Sequence, residues 1–192
     1  MTRTLALLLA FALAGCAPAP RTQVDSEVNV GSGETIIVGR VELVPPLQKG
    51  EQRLNGIGTG AYENRILLLT DETRRALPPD PSLADYAGRI EATLGNHFFV
   101  RSPSTPFYIL GGVVFLEVGR GMSRASFPGG LKVAIKPGDR AVYIGTLRYH
   151  RDEFFETTRV AVVDEYSAAK AEFARKFGSD VPLRKALMAP AK

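Results

Sequence analysis

Few groups in this chain could do chemistry, and they are scattered. Cys16 is the only cysteine, and it closes Leu13-Ala14-Gly15-Cys16 directly after the apolar run Leu5–Leu13. There are two histidines, His97 and His150. Acid–base or metal chemistry needs several such groups to converge. Nothing in the spacing brings these two together, so each reads as a solvated or singly hydrogen-bonded side chain. Ser123 and Ser126 lie in a glycine-rich stretch with no Gly-x-Ser-x-Gly elbow around them. Gly56-Ile57-Gly58-Thr59-Gly60 is superficially like a phosphate-cradling loop. It lacks the strand-to-helix setting and the Lys-Ser/Thr pair that such loops need, and reads as a flexible connection. Asp71-Glu72 and Asp164-Glu165 flank strand ends, where solvated carboxylates are routine. No catalytic residue, cofactor site or metal set is assigned.

The N-terminus carries the most specific signal. Met1-Thr2-Arg3-Thr4 is a short positive region, followed by the apolar run and then by small residues. The run is too short to span a hydrocarbon core of roughly 30 Å, which takes about 20 apolar residues, and it fits a secretory leader. Leu13-Ala14-Gly15-Cys16 resembles the lipobox of bacterial lipoproteins. That resemblance implies a diacylglycerol joined to the Cys16 sulfur, cleavage after Gly15 and a mature chain that begins at Cys16. Ala17 is not the aspartate that favours inner-membrane retention, so the implied place is the periplasmic face of the outer membrane. Once Cys16 is acylated, no thiol remains for a disulfide, a thiolate metal ligand or a nucleophile.

Composition narrows the classes further. Loss of Arg3 with the leader leaves 23 basic residues against 20 acidic ones. The surplus is mild and interspersed, unlike the one-sided basic footprint of a nucleic-acid binder. The body of the chain has the length of one domain and must be stable without a disulfide.

Patterning divides the chain into a leader (1–15), a lipidated cysteine with a flexible tether (16–34), and one domain (35–192). Proline, glycine and small polar residues fill the tether, although Val24, Val28 and Val30 allow a weak first strand. Strands are expected at Thr35–Val44, Arg65–Thr70, His97–Arg101, Phe107–Leu110, Val113–Val118, Leu131–Lys136, Arg140–Arg148 and Phe154–Val163. Gly111-Gly112 would make a bulge, and Pro137-Gly138-Asp139 a tight turn. Leu83, Tyr86, Ala87, Ile90 and Leu94 form one helical stripe, with Ser82 as cap and Gly95 as stop, which predicts an inserted helix. Tyr166, Ala169, Phe173 and Phe177 predict a second, amphipathic helix closed by Gly178. Residues 180–188 could form a further short one.

The expected fold is α+β and β-dominated: a mostly antiparallel sheet or sandwich of about seven strands, one inserted helix and a C-terminal amphipathic helix. Ile135–Gly145, with the strand and helix after it, resembles the end of prealbumin-like or carboxypeptidase-regulatory sandwiches in bacterial lipoproteins. The resemblance implies a non-enzymatic envelope role and brings no catalytic residues. Residues 119–130 read as a loop in which Arg120, Met122, Arg124 and Phe127 offer an interaction surface, since arginine and large apolar groups are enriched at interfaces. Three functions follow in order. The first is a lipid-anchored structural or interaction protein with an envelope protein as partner. The second is a binding module for a small apolar or saccharide ligand. The third is a cell-wall or lipid hydrolase.

Overall fold

Alternating apolar residues fold into two stacked sheets in the computed structural model, which describes residues 21–24, 31–48, 50–51, 63–75, 88–118 and 121–191. The leader, Cys16, the Gly56–Gly60 stretch and Arg120 lie outside the described residues. The strands are β1 (Thr22–Gln23), β2 (Glu34–Val44), β3 (Arg65–Asp71), β4 (Gly88–Thr93), β5 (His97–Pro103), β6 (Phe107–Val118), β7 (Gly121–Val133), β8 (Ala141–Arg151) and β9 (Thr157–Val163). Helix α1 (Tyr166–Phe177) follows, and then β10 (Leu183–Lys185) and β11 (Ala189–Pro190). The first sheet has the order β1-β5-β2-β8-β10, with β9 also paired to β8; the second runs β11-β7-β6-β3-β4. All pairings are antiparallel except β2 with β8 and β10 with β8. The fold is therefore a β-dominated sandwich with a single helix among the described residues.

The core lies where the two inner faces meet. Ile37, Val41 and Leu43 of β2 pack there with Ile66, Leu68, Ile90, Phe107, Ile109 and Phe127 from the opposite sheet. On β8, Val142 and Ile144 face this core, and so do Leu147 and Tyr149. A strict period of two cannot place all four inward. The register of β2 against β8 shifts between Val38 and Arg40, and Gly145 sits in the resulting bulge at φ +101°. A Cβ there would stand 2.8 Å from Val162 Cγ1, so the bulge requires glycine. A second irregularity falls between Ile109 and Gly111, at the Gly111-Gly112 pair read as a bulge. There the backbones nearly touch: a Cβ on Gly129 would be 2.2 Å from the Leu110 carbonyl carbon.

On the first sheet's outer face, Ile36, Val38, Phe99 and Tyr143 form a second apolar patch beneath Ala169 and Phe173 of α1. The stripe read from the sequence is thus the face that α1 buries. Asp164 accepts the Tyr166 N–H at its start, and Gly178 closes its end by donating to the Ala174 carbonyl. Burial of Phe173, 1% exposed, is worth about 2 kcal/mol.

Four expectations are corrected. Of the inserted helix, residues 83–87 lie outside the described residues, and the remainder is strand β4 with its turn. Arg89 and Glu91 point outward while Gly88, Ile90 and Ala92 point in, and Gly95 stops no helix but donates to Val41 O in the β4–β5 turn. Residues 180–188 form no helix either: Leu183 docks beneath α1 and Met188 enters the core. Ala186 and Met188 donate to the Tyr143 and Ile144 carbonyls along β8. The 119–130 loop is in large part strand β7, hydrogen-bonded along β6. Finally, folded structure begins well before residue 35, because β1 pairs with β5 through Thr22 opposite Arg101.

Candidate functional site

The residues that drew attention in the sequence are dispersed by the fold. Ser123 and Ser126 stand on β7 of the second sheet, and both histidines stand on the first. Phe127 is 1% exposed and packs on the Tyr149 ring at 5.0 Å. It belongs to the core, which removes it from the expected interaction surface. Arg124 is exposed on β7, opposite Phe115, and Met122 pairs with Glu117 near the hairpin tip. Asp71 accepts hydrogen bonds from Thr73 N–H, Thr73 Oγ1 and Arg74 N–H, closing its own turn. Asp164 accepts from Lys185 Nζ at 2.8 Å. No group of three or more His, Cys, Asp or Glu among the described residues could hold a metal ion.

A polar groove of about 770 Å³ lies beside α1, where the two sheets meet across the β4–β5 turn. Arg65, Arg175 and Lys176 bring positive charge to its walls, and Glu91 and Glu172 bring negative charge. His97 opens β5 at its edge. Its Nδ1 lies 2.6 Å from Glu172 Oε2, its side chain is 7% exposed, and its Nε2 is buried with no hydrogen-bond partner. The contact ties α1 to β5 and fixes the ring. It leaves no open nitrogen for proton transfer to a molecule in the groove, because Nε2 is sealed from solvent. His150 lies elsewhere on the sheet, opposite Val44 and Arg159.

Beyond the reach of α1, the same sheet face turns polar. Arg148 donates to Glu42 Oε2 from Nε at 2.8 Å and from Nη2 at 2.7 Å. Arg40 reaches Glu42 at 2.8 Å and Glu165 at 3.5 Å. Thr146 Oγ1 donates to Glu165 at 2.6 Å, and the Glu165 N–H donates to Tyr143 Oη. Two cations and two anions offset one another here, and the lattice holds the helix start against β8.

Two buried arginines were not legible beforehand. Arg151, its side chain 1% exposed, donates to both Glu51 oxygens and to the Pro45, Pro46 and Asp152 carbonyls, with Phe155 against its guanidinium. It clamps Pro45, Pro46 and Glu51 to the β8–β9 turn. Arg21 is 7% exposed and joins the sheets. Its Nε donates to Ser102 Oγ of β5 and its Nη1 to Thr70 Oγ1 of β3 at 2.6 Å, while the guanidinium stacks 3.9 Å from the Phe107 ring centre. Burial pulls its pKa down to about 10 against the pull of Glu72 and Asp71. The next residues extend the lock. Val24 is buried and donates to Phe99 O at 2.8 Å, and Gln23 Nε2 donates to Glu91 O of the second sheet. The chain from Cys16 is thus gripped five residues on.

Comparison of the chain with protein-family models, curated proteins and solved structures finds no match.

Proposed function

We propose that this chain is a lipid-anchored protein of the bacterial envelope, without enzymatic activity, that serves a structural or protein-interaction role from the periplasmic face of the outer membrane. The observation that carries the reading is Leu13-Ala14-Gly15-Cys16 after Leu5–Leu13, with Cys16 only five residues before the domain locks at Arg21. Two or more acyl chains on Cys16 would hold stably, since each buried methylene contributes about 0.8 kcal/mol and one chain alone holds marginally. No helix among the described residues is long and apolar enough to cross a membrane. The likeness of Ile135–Gly145 to prealbumin-like sandwiches forms part of this proposal. The two-sheet core and the turn in which Asp139 closes back on Lys136 support it.

The test is fractionation and crosslinking in intact bacteria. The parent is expected in the membrane fraction with a reproducible protein neighbour, and Cys16→Ser in the soluble fraction. Equal membrane partition of both would overturn the anchor, and a monomer without neighbours at any crosslinker length would overturn the interaction role.

The groove beside α1 supports a second reading, a site for a small polar or saccharide ligand. Its charged and amide lining suits such a molecule better than an apolar one. Chemical-shift changes confined to Glu91, Asn96 and Arg175 on adding envelope oligosaccharides would favour it, and none at millimolar ligand would remove it.

A further inference from the structure

We infer that the domain rests directly on an anionic phospholipid surface with its Arg21 end toward the lipid. This deepens the anchor reading and relies on attachment at Cys16. Five Cα steps separate Cys16 from Arg21, and a fully extended chain advances at most about 3.6 Å per step. The first locked residue therefore lies within about 18 Å of the lipidated one, little more than the headgroup layer with a few waters. A tether running to Glu34, the start of β2, would have allowed about 60 Å.

The direction of entry fixes which end faces down. Thr22 pairs with Arg101 and Gln23 with Val100, so the incoming chain arrives beside Ser102 and Pro103 at the end of β5. The end of β3, the start of β6 and the start of β8 lie at this end, because Asp71 pairs with Tyr108 and Ile36 with Ala141. Arg74, Lys132, Lys136 and Arg140 are exposed there. Among the described residues, the acids of the same end are engaged: Asp139 by Arg184 and Lys136 N–H, Asp71 in its turn, Glu34 by Arg101, and Glu72 by Thr105. At the opposite end, around the β8–β9 turn, Glu153, Glu156 and Glu63 are exposed together with Arg65 and Arg159. Among the described residues, exposed basic side chains without a paired carboxylate thus gather where the leash emerges. Each basic residue near an anionic leaflet is worth about 1 kcal/mol, and the attraction fades beyond a Debye length of roughly 8–10 Å. A leash of at most about 18 Å keeps the basic end within about two such lengths of the lipidated residue.

The experiment couples residues 16–192 through the Cys16 thiol to maleimide-bearing lipid in a supported bilayer, and reads the gap between bilayer and protein by neutron reflectometry. Chemical coupling replaces natural acylation, so failure of the lipoprotein reading and failure of this inference are separate results. A flexible insert of about 15 Gly/Ser residues between Pro20 and Arg21 frees the domain to lift. On bilayers rich in phosphatidylglycerol this long-leash protein is expected to stay within about 10 Å. On neutral phosphatidylcholine, or at about 0.5 M salt, the gap is expected to open beyond that distance. Lys132→Glu with Lys136→Glu and Arg140→Glu is expected to open it on the anionic bilayer too. Should the triple variant fold poorly, the glutamine versions give the same direction at smaller amplitude. Equal gaps on anionic and neutral bilayers, or no response to loss of the three charges, would overturn the inference.

Discussion

Replacing Arg21 with alanine tests whether the chain beyond Cys16 is really fastened by one side chain. The substitution removes charge-assisted hydrogen bonds to Ser102 and Thr70, each worth about 1.5–3 kcal/mol, and a desolvated stack on Phe107 worth about 2 kcal/mol. Against this stands the cost of burying a guanidinium, several kcal/mol, which also depresses its pKa to about 10. The net loss should be about 2 kcal/mol. The local effect should be larger, because β1 is two residues long and has little else to hold it. The Val24 amide, which donates to Phe99 O, should lose its exchange protection, while amides of β2 and β8 keep most of theirs. Once β1 is released, the next strand among the described residues is β2 from Glu34, and a chain held only from there would reach about 60 Å from Cys16 instead of about 18 Å. Hydrogen exchange read by mass spectrometry, with urea denaturation alongside, measures both quantities. Arg21→Met keeps part of the packing over Phe107 and should fall between alanine and the parent. Full protection of Val24 in Arg21→Ala, with stability unchanged within 0.5 kcal/mol of the parent (inside the spread of ordinary surface substitutions, about ±0.5 kcal/mol), would refute the reasoning.

Tyr149 is fully buried and its hydroxyl has no hydrogen-bond partner, so Tyr149→Phe should raise stability by about 1 kcal/mol; a loss of that size in urea denaturation would show that the hydroxyl is bonded. Gly145→Ala places a Cβ against Val162 at φ +101° and should cost about 3 kcal/mol, with a midpoint unchanged from the parent counting against the bulge. A hydrogen bond from Arg184, opposed in part by burial, holds the Asp139 carboxyl below its ordinary value of 3.8. The stability it adds is therefore present above pH 3.8 and lost as pH falls through the lowered value. Asp139→Asn should be less stable than the parent at pH 7, and the gap should narrow as pH falls below 3.8, whereas a difference that stays constant into acid would contradict the pairing.

Strands that alternate on one buried face were legible from residues alone. Val41 and Leu43 against Arg40 and Glu42 declare β2, and the α1 stripe of Ala169 and Phe173 declares its buried side. Where two periods coincide, the pattern misleads. Ile90 and Leu94 are four apart, which suits both a helix face and alternate strand positions, and pairing with β3 decides for the strand. Leu183 and Met188 look helical in isolation, but hydrogen bonding along β8 holds them extended. The Arg21 lock was beyond reach because its partners Ser102 and Thr70 lie 81 and 49 residues away, and a Pro/Ala-rich stretch gives no local sign of burial. The His97–Glu172 contact spans 75 residues and was hidden for the same reason.

The most direct single measurement is the mass of the N-terminal peptide of the protein extracted from its native membrane. A chain that begins at Cys16 and carries a diacylglyceryl group on sulfur is the expected result. A chain that retains Met1, with Cys16 as a free thiol, would contradict it.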